Sequence, residues 1–127
     1  MRVGSLLRRK VCVVSEREDL RELLAALIEA DGYQVANAAT GEAGLDRAAR
    51  FRPHAVVVEA PSGKAKDLIN RLRSRPELSA CGLLVISATL DVPIASQGAW
   101  APFAKPFDLL KLKSAVAAAA ARPGQRF

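Results

Sequence analysis

Five polar residues stand at the ends of short apolar runs, an arrangement typical of a pocket at a sheet edge. Ser15 and Glu16 follow the first run, Glu59 ends the third, Ser87 ends the fourth and Lys105 follows the fifth. In an open parallel sheet, ligands collect beyond the carboxyl ends of the strands, where the strand order reverses. Carboxylates, a hydroxyl and an ammonium group converging there would form a pocket for an anion or a metal ion.

Apolar periodicity predicts the elements that must position these residues. Continuous apolar runs predict strands buried on both faces, and apolar residues spaced three or four apart predict helices that bury one face. Strands alternate with helices, which predicts a parallel sheet covered by helices on both faces. The strand-like runs occupy 11–14, 33–36, 54–59, 83–87 and 103–104, and helical spacing occupies 20–28, 45–49, 65–72 and 109–116.

The connection between the fourth and fifth strands breaks this regularity. Pro93 and Gly98 punctuate it, so that only a turn or two of helix fits between them. We therefore expect a shortened or irregular fourth helix.

The net charge of +6 resides at the two ends of the 127-residue chain. Residues 1–10 carry four bases and no acid, residues 122–127 carry two bases and no acid, and the body between them is neutral. Neutrality disfavours nucleic-acid binding by the folded body, although binding through the basic ends is left as an alternative. We interpret the chain as a basic leader over 1–9, one domain over 10–121 and a tail or linker over 122–127.

The body itself is polarised in charge. Residues 11–46 have a net charge of −6 and residues 47–75 a net charge of +6. The basic run of Arg71, Arg73 and Arg75, with Lys64 and Lys66, is typical of the solvated face of a helix. Its contrast with the acidic first helix would also orient a partner or a head-to-tail contact.

Cysteine usage and hydropathy exclude several classes of protein. Cys12 and Cys81 are too few for a disulfide framework. No apolar run approaches the ~20 residues of a membrane span, and Arg8, Arg9 and Lys10 interrupt any signal-peptide core. We expect a cytoplasmic protein without a membrane partner.

A set of short motifs follows in order along residues 10–121. No single motif is diagnostic, but the ordered set resembles the receiver domain of response regulators in two-component signalling. The resemblance implies a flavodoxin-like, doubly wound α/β fold with five parallel strands in the order 2-1-3-4-5. The motifs are Val11–Val14 with Glu16, Glu18–Leu24, Gly32–Val35, Gly41–Ala43, Arg52-Pro53 with Val56–Glu59, Arg71–Arg73, Ser87-Ala88, Gly98-Ala99 and Lys105–Phe107.

The family's chemistry is transfer of a phosphoryl group from a histidine kinase to an aspartate at the end of the third strand. A magnesium ion held by an acidic pair after the first strand assists the transfer. The resemblance places Glu59 at the phosphoacceptor position and Ser15 and Glu16 at the acidic pair. It places Ser87 and Lys105 at the hydroxyl and lysine that contact the phosphoryl group.

Two of these five positions depart from the family's pattern. Glu59 has one methylene more than aspartate, and a misplacement of ~1 Å costs roughly 10²-fold in a positioned reaction. Ser15 removes a carboxylate from a site for a hard dication, so any magnesium binding is expected to be weak. We predict a degenerate pseudo-receiver with no catalytic residue, no resident metal or other cofactor and no enzymatic activity. It would act as a phosphorylation-independent protein-interaction module.

The region from 88 to 107 departs from the pattern as well. Pro102 occupies the family's aromatic switch position, and a proline cannot swing between inward and outward rotamers. Trp100 and Phe103 are candidate interface residues, because aromatic side chains concentrate at interaction hot spots. The partner would be a protein such as a sensor kinase or an output domain, and a homodimer is left open.

Simpler interpretations stand beside these. Ser15, with Glu18 three residues later, is typical of a helix N-cap with a capping box. Glu59 would be a solvated or salt-bridged acid without a switching role, or would mimic a phosphorylated aspartate beside Ser87 and Lys105. The alternative functions are an active phosphorelay receiver and nucleic-acid binding through the basic ends.

Overall fold

Strands and helices alternate along the chain in the computed structural model, which describes residues 9–60, 64–79, 81–87, 101–104 and 109–120. The side chains at 87, 101–104, 109–112 and 115 are outside that description. The elements are β1 (Lys10–Ser15), α1 (Glu18–Ala30), β2 (Gln34–Ala38), α2 (Glu42–Phe51), β3 (Ala55–Glu59), α3 (Ala65–Arg73), a 3₁₀ turn (Pro76–Leu78), β4 (Gly82–Ser87), β5 (Ala101–Ala104) and α4 (Leu109–Ala120).

The strands form one parallel sheet in the order β2-β1-β3-β4-β5. The predicted parallel sheet, with the first strand between the second and the third and the fourth beside the third, is confirmed. From β1 the chain continues to β2 on one side, and from β3 it continues to β4 on the other side. The strand order therefore reverses between β1 and β3. The shortened or irregular helix predicted between β4 and β5 falls on residues outside the described part of the chain.

Alternate residues of each central strand enter two different apolar layers. Val13 and Val57 face the layer that α1 and α4 cover, which includes Leu24 and Val116. Cys12, Val56 and Leu83 face the layer that α2 and α3 cover, which includes Leu45, Ile69 and Leu72. Burial on both faces explains why these strands read as continuous apolar runs.

A glycine at the start of β4 lets α4 approach the sheet closely. A Cβ atom at Gly82 would overlap the carbonyl oxygen of Ala119. The alanine-rich helix supplies the matching small surface, since Ala119 and Ala120 are buried against the sheet. The packing of this helix therefore depends on two backbones in near contact.

Ion pairs tie α3 and the following turn to α2. Glu42 accepts from Arg71 at 3.1 Å and from Arg75 at 2.7 Å, and Arg75 also pairs with Asp46. Arg73 donates to the backbone carbonyl oxygens of residues 78, 79 and 81. All three guanidinium groups of the predicted basic run are thus engaged within the fold.

Within the described residues, none of the helices is both long enough and apolar enough to cross a membrane.

Candidate functional site at the carboxyl ends of β1 and β3

Ser15 and Glu59 form a buried pair at the point where the strand order reverses. The two residues are in register across β1 and β3, and their exposed fractions are 0% and 1%. The Ser15 hydroxyl donates to Glu59 Oε1 over 2.6 Å, a length typical of an O–H group bound to a carboxylate. The structure therefore brings these two predicted site residues into direct contact.

Ser15 does not act as the predicted helix N-cap. It is the last residue of β1, whereas α1 begins at Glu18 with Arg17 as its N-cap and without a side-chain capping bond. The Ser15 hydroxyl oxygen accepts the backbone N–H of Arg17 at 3.0 Å, which closes a local turn between strand and helix. The capping-box pattern was misleading because the Ser15 hydroxyl also donates to the buried carboxylate of Glu59 on the neighbouring strand.

Glu59 is not a solvated acid, so that part of the simpler interpretation is wrong. Its side chain lies at the end of a strand that is buried along its whole length. A buried carboxylate needs hydrogen-bond donors to offset the loss of hydration, and Ser15 provides one of them. The burial places the carboxylate below the surface that a reagent in solution first meets.

Arg21 is a residue of this site that the sequence analysis missed. Its Nη1 donates to the backbone carbonyl oxygen of Ser15 over 2.7 Å. Its Nε is buried and has no hydrogen-bond partner within the described part of the chain. Arg21 is the only basic residue of the otherwise acidic α1, and that isolation was the available signal. It fixes the end of β1 and adds a positive charge beside the Ser15–Glu59 pair.

Glu16, the second predicted acidic position, faces outward. It is exposed and lines a cleft of about 300 Å³ at the same sheet edge. The residues that line the cleft are Glu16, Thr40, Ala60, Lys64, Asp67, Leu68 and Arg71. Glu16 and Glu59 thus occupy different environments, the first in an accessible cleft and the second in the interior.

The residues present do not fit the magnesium ion that the receiver resemblance implies. Magnesium takes oxygen ligands in a near-octahedral shell and prefers carboxylates. Ser15 contributes a neutral hydroxyl, and one oxygen of Glu59 already accepts its proton. The described ranges hold no group of three or more acidic, histidine or cysteine side chains placed to bind a metal.

The remaining predicted site residues are located only in part. Ser87 ends β4 and is in register with Ala104, one residue beyond the pairing of Glu59 with Ile86. Pro102 and Phe103 lie in β5 beside Val85 and Ile86, but their side chains are outside the description. Trp100 and Lys105 themselves lie outside the described residues, so their predicted roles stay predictions.

The nucleophilic thiols of the core lie away from this edge. Cys12 and Cys81 are free and buried in the layer beneath α2 and α3. Burial, with a smaller contribution from Cys81, raises the pKa of the Cys12 thiol from 9.0 to about 12. At neutral pH this thiol is protonated and therefore a poor nucleophile or metal ligand.

Comparison with known proteins supports the predicted family. No protein-family model matches the sequence. Sporulation initiation phosphotransferase F of Bacillus subtilis (strain 168) is 28% identical over 115 residues, which cover 87% of this chain and 93% of that protein.

Solved structures support the same family. A chemotaxis response regulator of Vibrio cholerae matches with a TM-score of 0.74 and 19% identity, over 88% of this chain and 98% of that one. A response regulator receiver protein from Pseudomonas putida matches with a TM-score of 0.71 and 25% identity, over 87% and 97% of the two chains. The fold is that of these proteins, and the comparisons together support a response-regulator receiver domain of two-component signalling.

Proposed function

We propose that this receiver domain works as a phosphorylation-independent protein-interaction module and not as an enzyme. The observation that carries the proposal is the buried hydrogen bond from the Ser15 hydroxyl to Glu59 Oε1 at 2.6 Å. It occupies one oxygen of the carboxylate at the position where the family accepts a phosphoryl group.

Phosphoryl transfer depends on positioning and on electrostatic stabilisation of the transferred group. A nucleophilic carboxylate must reach the phosphorus atom in line with the leaving group, with cations nearby to offset the developing charge. Glu59 is 1% exposed and has one methylene more than aspartate. Ser15 supplies no negative charge to hold a dication. Each of these features disfavours the transfer, and together they support a chain with one fixed state at this position.

The proposed partner is a protein, such as a sensor kinase, an output domain or a second copy of this chain. With no phosphoryl signal to gate it, the contact surface would be available constitutively. The accessible charged residues of the sheet edge then matter more for partner choice than Glu59 does, because only they meet solvent.

Incubation with a small acyl phosphate and magnesium, followed by intact-mass measurement, tests this proposal. We expect the native chain to remain unmodified, whereas an aspartate-containing receiver treated in parallel gains one phosphoryl group and verifies the donor. A stoichiometric phosphoryl adduct on the native chain would overturn the proposal.

A second candidate is an active phosphorelay receiver. The observation that favours it is the similarity to a relative named as a phosphotransferase, together with the carboxylate that this chain retains at the end of β3. This candidate predicts the adduct in the same experiment, and also a saturable magnesium dependence of its formation.

A further inference from the structure

The cleft beside the buried pair is built from the ends of three adjacent strands and from one helix. Glu16 follows β1, Ala60 follows β3, and Thr40 comes shortly after β2. The other wall comes from α3 and the residue before it, through Lys64, Asp67, Leu68 and Arg71. The cleft therefore lies where the strand order reverses, the position at which doubly wound sheets bind their ligands.

Three charged side chains in this cleft have no partner in the part of the chain that the structure describes. Among the described residues, Glu16, Lys64 and Asp67 make neither a hydrogen bond nor an ion pair through their side chains. Arg71 differs from them, because its guanidinium group is bound to Glu42 at 3.1 Å. The described lining has two acidic and two basic residues. Because Glu42 already pairs with Arg71, two carboxylates and one ammonium remain, an excess of one negative charge that favours a cationic ligand.

The lining also indicates the shape of that ligand. Ala60 and Leu68 provide a short apolar surface for an alkyl chain, and Thr40 adds a hydroxyl group. A volume of about 300 Å³ is at the lower limit of small-molecule sites and is large enough for one long side chain. A planar guanidinium group donates to two acceptors at once, which suits a site with two free carboxylates. The Lys64 ammonium would then donate to an acidic or carbonyl oxygen beside the inserted side chain.

Other ligand classes fit this lining less well. A phosphate or another anion would meet the negative charges of Glu16 and Asp67. A divalent metal needs more oxygen ligands than these two carboxylates supply. We infer that this cleft binds an arginine side chain of a partner protein. The inference rests on the proposed function as an interaction module and names the chemistry by which the module recognises its partner.

The test is a titration of the full chain, followed through its backbone amide resonances, with N-acetyl-arginine amide. N-acetyl-citrulline amide, which has the same shape without the charge, is the matched ligand control. We expect saturable shifts at residues 16, 64 and 67 with the arginine compound and at least about tenfold weaker binding of citrulline, the loss expected when charge-assisted hydrogen bonds are removed.

A pair of variants locates the binding. The double variant Glu16→Gln/Asp67→Asn removes both carboxylates from the cleft and is expected to weaken arginine binding about tenfold or more. Glu29→Gln/Glu22→Gln removes two exposed carboxylates from α1, outside the cleft lining, and is expected to leave the affinity unchanged. All four positions are exposed, so both variants should fold as the native chain does.

Equal binding of arginine and citrulline, or equal loss in both double variants, would overturn the inference. Stronger shifts at the same amides with N-acetyl-glutamate amide would overturn it in favour of an acidic partner. None of these outcomes changes the intact-mass result, so failure of this inference is distinguishable from failure of the proposed function.

Discussion

The Ser15–Glu59 pair and the cleft beside it differ in their exposure to solvent, although Ser15 and the cleft residue Glu16 are adjacent in the chain. Ser15 and Glu59 are buried and bonded to each other. Glu16, the next residue after Ser15, is exposed and has no partner among the described residues. The end of β1 explains the contrast, because Ser15 is the last residue of the buried strand and Glu16 lies beyond it.

This difference separates two uses of carboxylate groups at one sheet edge. The buried carboxylate of Glu59 stabilises the junction between β1 and β3, and any change there has a large energetic cost. The exposed carboxylates of Glu16 and Asp67 contribute little to the free energy of unfolding but remain available to a partner. A receiver fold can thus keep a charged edge exposed while the carboxylate at the end of β3 is buried.

The largest loss of stability is expected from placing a second carboxylate in the buried site with Ser15→Asp. Two carboxylates would then face each other in place of the hydroxyl–carboxylate hydrogen bond, which we expect to lower the free energy of unfolding by about 4 kcal/mol. The same change restores the acidic group that a dication needs, so magnesium should recover part of the loss.

Urea unfolding of Ser15→Asp and of the native chain, each with and without magnesium, measures both effects. Magnesium should leave the native chain unchanged. Equal stabilisation of both proteins by magnesium would contradict this interpretation of the site.

A smaller loss is expected from removing the hydroxyl with Ser15→Ala. Glu59 would lose a buried donor, which we expect to lower the free energy of unfolding by about 2 kcal/mol. Ser74→Ala is the matched control, because the Ser74 hydroxyl donates to the carbonyl oxygen of Arg71 in an exposed position. Equal midpoints of chemical denaturation for the two variants would show that the buried hydrogen bond stabilises the fold no more than the exposed one does.

These two variants address the part of the site that the sequence could not predict. The apolar runs Val11–Val14 and 55–58 predicted buried strands correctly, because burial on both faces leaves a local signature. The fate of the Ser15 hydroxyl depends on the register of β1 against β3, which joins residues 44 positions apart. The capping-box pattern from Ser15 to Glu18 was a valid local signal that this long-range contact overrode.

The basic run shows the same limit of sequence-based prediction, because its contacts are also long-range. Sequence alone left Arg71 and Arg75 as a solvated or partner-facing surface, since their counter-charges Glu42 and Asp46 are distant in the chain. Packing of α3 against α2 brings these acids close. Arg21 escaped notice for a related reason, because its bond to the Ser15 carbonyl oxygen depends on how α1 leaves β1.

Alkaline pH extends the comparison to the buried thiol of Cys12. Its folded-state pKa of about 12 exceeds the value of 9.0 for an exposed thiol, so its contribution to stability is complete below pH 9 and is lost as the pH rises toward 12. By linkage, the loss at pH 10 is roughly 1 kcal/mol. Denaturation across this range should show a steeper decline for the native chain than for Cys12→Val. Parallel declines of the native chain and of Cys12→Val would contradict the raised pKa of Cys12.

The smallest effect is expected on the exposed side of the comparison, from Glu42→Gln. This change breaks the ion pairs of Arg71 and Arg75 with Glu42, but such pairs are hydrated and screened by salt. We expect a slight loss of thermal stability at low ionic strength that disappears in concentrated salt. A loss as large as that of Ser15→Ala, or one that salt does not reduce, would contradict the distinction between buried and exposed groups.

The most direct test of the central claim is a carboxyl footprint of the folded chain. A water-soluble carbodiimide with an amine modifies carboxyl groups that solvent reaches, and peptide mass spectrometry reads each site separately. We predict rapid modification of Glu16 and Asp67 and protection of Glu59 in the folded chain, with all three modified in denaturant. Modification of Glu59 in the folded chain at the rate of Glu16 would show that the carboxylate at the end of β3 is open to solvent, and would contradict the account.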